Sequence, residues 1–312
     1  MSYPISALLD PLPLLGAQLE GAIGTRDKWL VPNRVYHFPL LWDECEKAPG
    51  VYTFPEEAFY NVTRLNMKLG SDYRLIIGTR TCPYFYALRS DRGSPPKPEN
   101  YIALAKLIEQ IYNTFHPWGV ELWNEPEFNE AEAAGMGKYY GAWGNAGLSY
   151  GTMVTEVYDY LRYRTPGMSV IAGASFGLLD TTRSLAFLRG ATSGGMRADY
   201  WSWHGYLWYR DVVNDTRAFE NILRFSQDAY DIFPQLQILS ETSVMRKTEL
   251  DDPPLFQQRQ AELLQYLIDT TYDTEIESVI WYTLADNGWR HSDLIRNSIE
   301  MPVYNVWKDY QE

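Results

Sequence analysis

The sequence has little cysteine, little histidine, few basic residues for its acidic ones and no long apolar run. Each shortage excludes something. Only Cys45 and Cys82 occur in 312 residues, with no CxxC pair. That rules out a disulfide framework; two free, partly buried thiols are expected, with a single Cys45–Cys82 bridge as the alternative. The four histidines, His37, His116, His204 and His291, show no HxH or HExxH spacing, so a metal hydrolase would have to draw its ligands mostly from carboxylates. Lys and Arg number 27 against 40 Asp and Glu, a formal net charge of −13. Such a chain repels a phosphate backbone, and no nucleic-acid partner is expected. No apolar run approaches the roughly 18 residues that a membrane span needs, so no membrane partner is expected either. Asp10 and three prolines interrupt the apolar stretch from Met1 to Gly16, and no basic region precedes it. It does not read as a signal peptide, and an intracellular protein is expected unless the chain was trimmed.

What the sequence does have is apolar and aromatic mass. Hydrophobic residues make up 46% and aromatics 15%, with 11 Trp and 24 Tyr. A bulky core accounts for such a composition, and so does a cleft lined with flat rings; composition does not separate the two. No internal repeat, low-complexity tract or long linker divides the chain, and a single domain over residues 1–312 is the simplest organisation.

Short apolar runs alternate with longer helical patterns. Strands are predicted at Leu14–Gln18, Arg34–Leu41, Tyr73–Thr79, Gly119–Trp123, Ser169–Ala172, Tyr200–His204, Gln237–Leu239 and Ser278–Tyr282. Helical spacing runs through Tyr101, Leu104, Ala105, Ile108, Ile111, Tyr112 and Phe115, and again through Met153, Val154, Val157, Tyr158 and Leu161. Further helices are predicted at Thr181–Leu188, Thr216–Tyr230 and Leu255–Thr271. Eight strands with helices between them predict an α/β fold, a closed (β/α)8 barrel. An open doubly wound sheet is disfavoured because no Gly-rich phosphate loop follows the first strands. The first unit is the irregular one: Gly21, Gly24 and Pro32 interrupt the short stretch between the first two strands.

Two segments carry chemistry. Val120-Glu121-Leu122-Trp123-Asn124-Glu125-Pro126 is a strand stopped by a proline, and Ile238-Leu239-Ser240-Glu241-Thr242 is a second strand ending in a carboxylate. The C-terminal ends of barrel strands open onto the face where such enzymes work. Two carboxyls across that mouth suit acetal cleavage, which needs one proton donor and one ionised nucleophile.

Trp123-Asn124-Glu125-Pro126 after one strand, with Glu241 ending a later one, resembles the clan A glycoside hydrolases. These are (β/α)8 enzymes with an Asn-Glu pair after strand 4 and a Glu after strand 7, and families 39 and 5 are the most similar. The resemblance runs from about Trp42 to Tyr304 as scattered landmarks: Trp42 with Gly50-Val51-Tyr52-Thr53-Phe54, Trp203-His204-Gly205-Tyr206, and Trp281-Tyr282-Thr283-Leu284-Ala285-Asp286. It implies a retaining glycosidase with Glu125 as general acid/base and Glu241 as nucleophile. It further implies Asn124 on the sugar 2-hydroxyl, Tyr206 or else His204 holding Glu241, and Trp281 as a platform under the sugar. Glu121 would be a buried carboxylate on the face of Trp123 and Glu125, paired with an arginine such as Arg34. A carbohydrate is the implied partner, a β-D-glycoside or an α-L equivalent, and no metal or organic cofactor is implied. The segment Thr79-Arg80-Thr81-Cys82-Pro83-Tyr84 departs from the family pattern.

Rival readings remain. Gly173-Ala174-Ser175-Phe176-Gly177 matches the G-x-S-x-G nucleophile elbow of serine esterases. Against it, the following helix is delayed to Thr181, with Asp180 as the expected N-cap, and no HGGG-type segment occurs. A barrel that binds carbohydrate without cleaving it is the third reading. Glu127 and Glu130 read as solvated loop charges, and Trp201, Trp203, Trp208 and Tyr209 as core or loop packing.

Overall fold

The computed structural model describes residues 13–19, 23–90, 93–128, 143, 147–246, 254–285 and 292–310, residues 25 and 26 by backbone alone. Glu130, Asp286 and His291 lie outside the described residues.

Eight parallel strands close into a barrel: β1 (Leu14–Gln18), β2 (Arg34–Leu41), β3 (Tyr73–Arg80), β4 (Gly119–Leu122), β5 (Ser169–Ser175), β6 (Tyr200–Trp208), β7 (Gln237–Met245) and β8 (Ile276–Trp281). Each pairs with its neighbours in sequence, and β1 closes onto β8, with Leu14 opposite Ser278 and Gly16 opposite Ile280. The expected (β/α)8 barrel is therefore the observed fold, and β1 and β2 keep their expected limits. The irregular first unit is present too: a short 3-10 helix, Gly24–Trp29, stands where an α-helical crossover would be.

The helices packed on this barrel are α1 (Glu56–Leu69), α2 (Tyr101–Phe115), α3 (Gly147–Leu161), α4 (Thr181–Ser193), α5 (Glu220–Tyr230), α6 (Pro254–Thr271) and α7 (Pro302–Asp309). Apolar spacing explains them. Leu104, Ala105, Ile108, Ile111 and Phe115 of α2 are all buried, on one face. Each large aliphatic side chain so buried contributes about 1.5–3 kcal/mol. The helix stops at His116, which turns left-handed (φ 48°) and donates its N–H to the Tyr112 carbonyl. Asp180 caps α4 as expected, accepting from the Arg183 N–H at 3.1 Å. The helix α1 is absent from the sequence series given above, although Ala58, Val62, Leu65 and Leu69, which it buries, hold helical spacing. Among the described residues no helix is long and apolar enough to cross a membrane.

The core has two parts. The larger lies between strands and helices and includes Trp123, Trp203 and Trp281. The smaller is an aliphatic plug inside the barrel: Leu14, Val35, Ile76, Ile171, Ile238 and Ile280, one residue from each of six strands. Arg34, at the first position of β2, lies at the plug's end of the barrel. Its Nη2 donates to the carbonyls of Trp307 (3.0 Å) and Tyr310 (2.5 Å). Arg34 is therefore far along the strand from Glu121's neighbourhood, and the expected Arg34–Glu121 pair does not form. Cys45 and Cys82 are both free and buried, and burial pushes both thiols up, that of Cys45 to about 12.

Candidate functional site

Above the aliphatic plug the barrel interior turns polar. Glu121 on β4 meets His37 on β2, with 3.0 Å between Oε2 and Nε2. The two strands are separated by β3, and the contact passes over Gly78. A Cβ there would stand 3.0 Å from His37 Nε2 and 3.6 Å from Glu121 Oε2, so the glycine makes room for the pair. Burial opposes the charge on Glu121, but the His37 imidazole prevails and holds its carboxyl down to about 2. The partner of Glu121 is thus a histidine and not an arginine.

Past Leu122 the strand geometry of β4 breaks. Trp123 and Glu125 both have positive φ, 77° and 45°, a region that costs a side-chain-bearing residue. The alternation of faces is lost there. Trp123 turns out into the large core against Trp143, and does not share a face with Glu121. Glu125 turns inward, fastened by its N–H to the Ala174 carbonyl at 2.8 Å.

The sequence placed Glu241 at the end of a short strand. In the structure β7 runs on to Met245, and β6 runs beside it to Trp208. Both neighbouring ladders slip by one residue at Ser240: Trp203 and Val279 face Leu239, whereas His204 faces Glu241 and Trp281 faces Thr242. That is a bulge, and it re-aims the carboxylate that follows it. A second slip lies in β5 between Ala172 and Ser175, where Gly173 and Ala174 have φ of 121° and 47°.

These departures bring four of the sequence candidates, Glu125, His204, Tyr206 and Glu241, into one cluster. His204 lies between the two carboxylates: its Nδ1 is 3.0 Å from Glu125 Oε1 and its Nε2 is 3.7 Å from Glu241 Oε2. Tyr206 donates to Glu241 Oε2 at 2.6 Å. Arg80, closing β3, donates from Nη2 to Glu241 Oε1 at 3.4 Å. Sequence reasoning passed over Arg80, though a cation at a barrel strand's C-terminal end was the signal that could have found it. Asn124 is buried beside Glu125, and among the described residues its Oδ1 has no hydrogen-bond partner. His204 is 1% exposed; it is a bridge between carboxylates, not a residue open to a ligand.

Burial pushes the Glu125 carboxyl up, and the charges of Glu241 and Glu127 add to this against the His204 hydrogen bond. Burial would lower His204, but the Glu241 charge and the Glu125 hydrogen bond raise it to about 9. Tyr206 is raised well above its ordinary value by burial and by Glu241. Glu125 and His204, joined by their hydrogen bond, hence titrate as a coupled pair.

Three expectations change. Trp281 has no exposed surface; its ring belongs to the large core and its Nε1 donates to the Ser292 carbonyl at 2.7 Å. An aromatic beside the cluster is its neighbour Tyr282, half-buried, with its ring 5.9 Å from that of Tyr206. Glu127 is not a solvated loop charge but fully buried, accepting from the Ser175 and Ser184 hydroxyls and the Phe176 N–H. Ser175 is accordingly buried and bound to a carboxylate rather than to a histidine, which is not the activated-serine arrangement of an esterase.

Fold and site together define a (β/α)8 barrel with a carboxylate pair at the C-terminal ends of its strands. No protein-family model and no curated protein matches the sequence. Solved structures do match it. One is a family 39 glycoside hydrolase from Bacteroides cellulosilyticus, at 17% identity and TM-score 0.66 over 96% of this chain; the chain spans only 63% of that protein's length. Another is a psychrophilic family 10 endo-β-1,4-xylanase, at 13% identity and TM-score 0.67, covering 97% of this chain and 99% of the other. A third is a family 128 endo-β-1,3-glucanase from Amycolatopsis mediterranei in complex with laminarihexaose, at 13% identity and TM-score 0.56 over 96% and 100%. At these identities the likeness is one of fold, the (β/α)8 barrel that these glycoside hydrolases share.

Proposed function

We propose that the protein is a retaining glycoside hydrolase acting on a carbohydrate, with Glu241 as nucleophile and Glu125 as general acid/base. The observation that carries this is the environment of the two carboxylates on either side of His204. Glu241 takes a hydrogen bond from Tyr206 and an ion pair from Arg80, which orient its carboxylate for attack. Glu125 is buried beside other carboxylates, which favours the protonated form that donates. The carboxyl that burial keeps protonated is the donor, and the one held by Tyr206 and Arg80 is placed to attack.

In the first step Glu241 attacks the anomeric carbon while Glu125 gives its proton to the departing oxygen. A glycosyl ester forms on Glu241. In the second step Glu125 takes a proton from water, the water oxygen replaces the ester, and Glu241 leaves as carboxylate. Asn124 Oδ1 accepts from a sugar hydroxyl. Tyr282, not Trp281, offers the ring surface against the sugar. Two of the similar structures are an endo-β-1,4-xylanase and an endo-β-1,3-glucanase, which supports a β-D-glycoside or an α-L equivalent as substrate.

The test is the wild-type protein against aryl β-D- and α-L-glycosides, with proton NMR following the anomer first released. One of them is expected to be cleaved with retained configuration. Release of the opposite anomer would remove the double displacement. Cleavage of aryl esters but of no glycoside would remove the glycosidase.

A further inference from the structure

The motif that looked like a nucleophile elbow has another use. Glu127 Oε1 accepts from Ser175 Oγ at 2.6 Å, from the Phe176 N–H at 2.5 Å and from Ser184 Oγ at 2.8 Å. These donors belong to the end of β5, the turn after it and the first turns of α4. Glu127 itself lies two residues beyond Glu125, on the loop after β4. A second tie joins the same two loops, the Glu125 N–H to the Ala174 carbonyl. Both loops run through left-handed backbone at non-glycine residues, Trp123 and Glu125 on one side and Ala174 on the other. Such backbone persists only where its surroundings over-determine it.

We propose that Glu127 is a positioning residue: a buried carboxylate, held by three donors of the Gly173–Ser184 segment, that pins the strained turn carrying Glu125 and sets its negative charge beside that residue. The proposal rests on the reading of Glu125 as acid/base. A carboxylate with no exposed surface is costly to desolvate and is tolerated where donors converge on it. Solubility cannot explain it, and an ordinary loop anchor could be neutral. Its charge is one of those that face Glu125. The others are Glu241 on β7, with Tyr206 and Arg80 upon it, and His204 on β6; Glu121, on the strand that leads to Glu125, is occupied by His37. Of these, Glu241 and Glu127 favour the protonated Glu125, and His204 favours the ionised one. Removing the Glu127 charge tips the balance toward ionisation.

The test needs no substrate. Glu127→Gln keeps an acceptor oxygen and removes the charge. In protein labelled with ¹³C at glutamate carboxyls, with Glu125 assigned through Glu125→Gln, the Glu125 titration is expected at lower pH in Glu127→Gln than in wild type. An unchanged midpoint in the folded variant overturns the proposal. Should Glu127→Gln not fold, Ser175→Ala carries the test, because it keeps the charge and two donors. Its Glu125 resonance is expected to be displaced, and a resonance and titration identical to wild type overturn the proposal. On a phenyl glycoside, kcat/KM of Glu127→Gln is expected to fall roughly fivefold with KM unchanged. A dinitrophenyl glycoside, whose leaving group needs no proton, is expected to show no such loss. If no glycoside is cleaved but the midpoint moves, the glycosidase reading fails and the pin stands.

Discussion

The two ends of the same strands are built on opposite principles. At one end β2, β3, β5, β7 and β8 contribute Val35, Ile76, Ile171, Ile238 and Ile280 to a dry aliphatic plug. The C-terminal helix closes it, with Trp307 Nε1 on the Gly16 carbonyl at 3.1 Å and Arg34 on the carbonyls of Trp307 and Tyr310. At the other end the same barrel holds Glu121, Glu125, Glu241, His37, His204 and Arg80, all buried. There β5 and β7 bulge and the backbone at Trp123, Glu125 and Ala174 is left-handed. The first end gains from burial alone. The second spends some of that gain on desolvated charge and strained backbone, as functional sites do.

Strand β7 carries both regimes three residues apart, and substitutions there break the comparison most sharply. Glu241→Ala is expected to lower kcat/KM by on the order of 10⁴-fold or more while the melting temperature stays within about 4 °C of wild type. Ile238→Ala is expected to cost about 2–5 kcal/mol of stability and to leave kcat nearly unchanged at temperatures where the variant is folded. Denaturant titration beside steady-state kinetics reads both. Equal losses of activity and stability in the two variants would dissolve the division.

A smaller effect sharpens it. The folded pKa of His204, about 9, lies above the roughly 6.5 of an unperturbed histidine. Its contribution to stability is therefore fully present below about pH 6.5 and is lost as pH rises through about 9. The melting temperature of wild type is expected to fall over that interval, and that of His204→Gln to fall less. Parallel profiles for the two proteins would show that His204 is not the group responsible.

Much of this was legible in the sequence. Alternating apolar runs and helical spacing predicted the (β/α)8 barrel, including its reduced first unit, because each strand–helix unit is a local pattern. The carboxylates stood out because strand ends mark the mouth, and Tyr206 stood out through the family resemblance. What escaped depended on non-local pairing. The bulge at Ser240 exists only relative to Trp203 and Val279, so β7 appeared to stop where it bends. A one-residue change of face exchanged Trp281 for Tyr282. Arg34 and Arg80 are chemically alike, and only their opposite ends of neighbouring strands decide which one reaches a carboxylate. Glu127 looked like any loop acid because its donors, Ser175 and Ser184, lie 48 and 57 residues away.

The central claim is that Glu241 becomes esterified by a sugar. Wild-type protein treated with the 2-deoxy-2-fluoro form of whichever aryl glycoside it cleaves is the direct test, because the fluorine slows release of the intermediate. Peptide mass spectrometry is predicted to find one sugar, bound to the peptide that contains Glu241 and located on that residue. Turnover of the parent glycoside with no adduct, or with the sugar on another residue, would contradict the account.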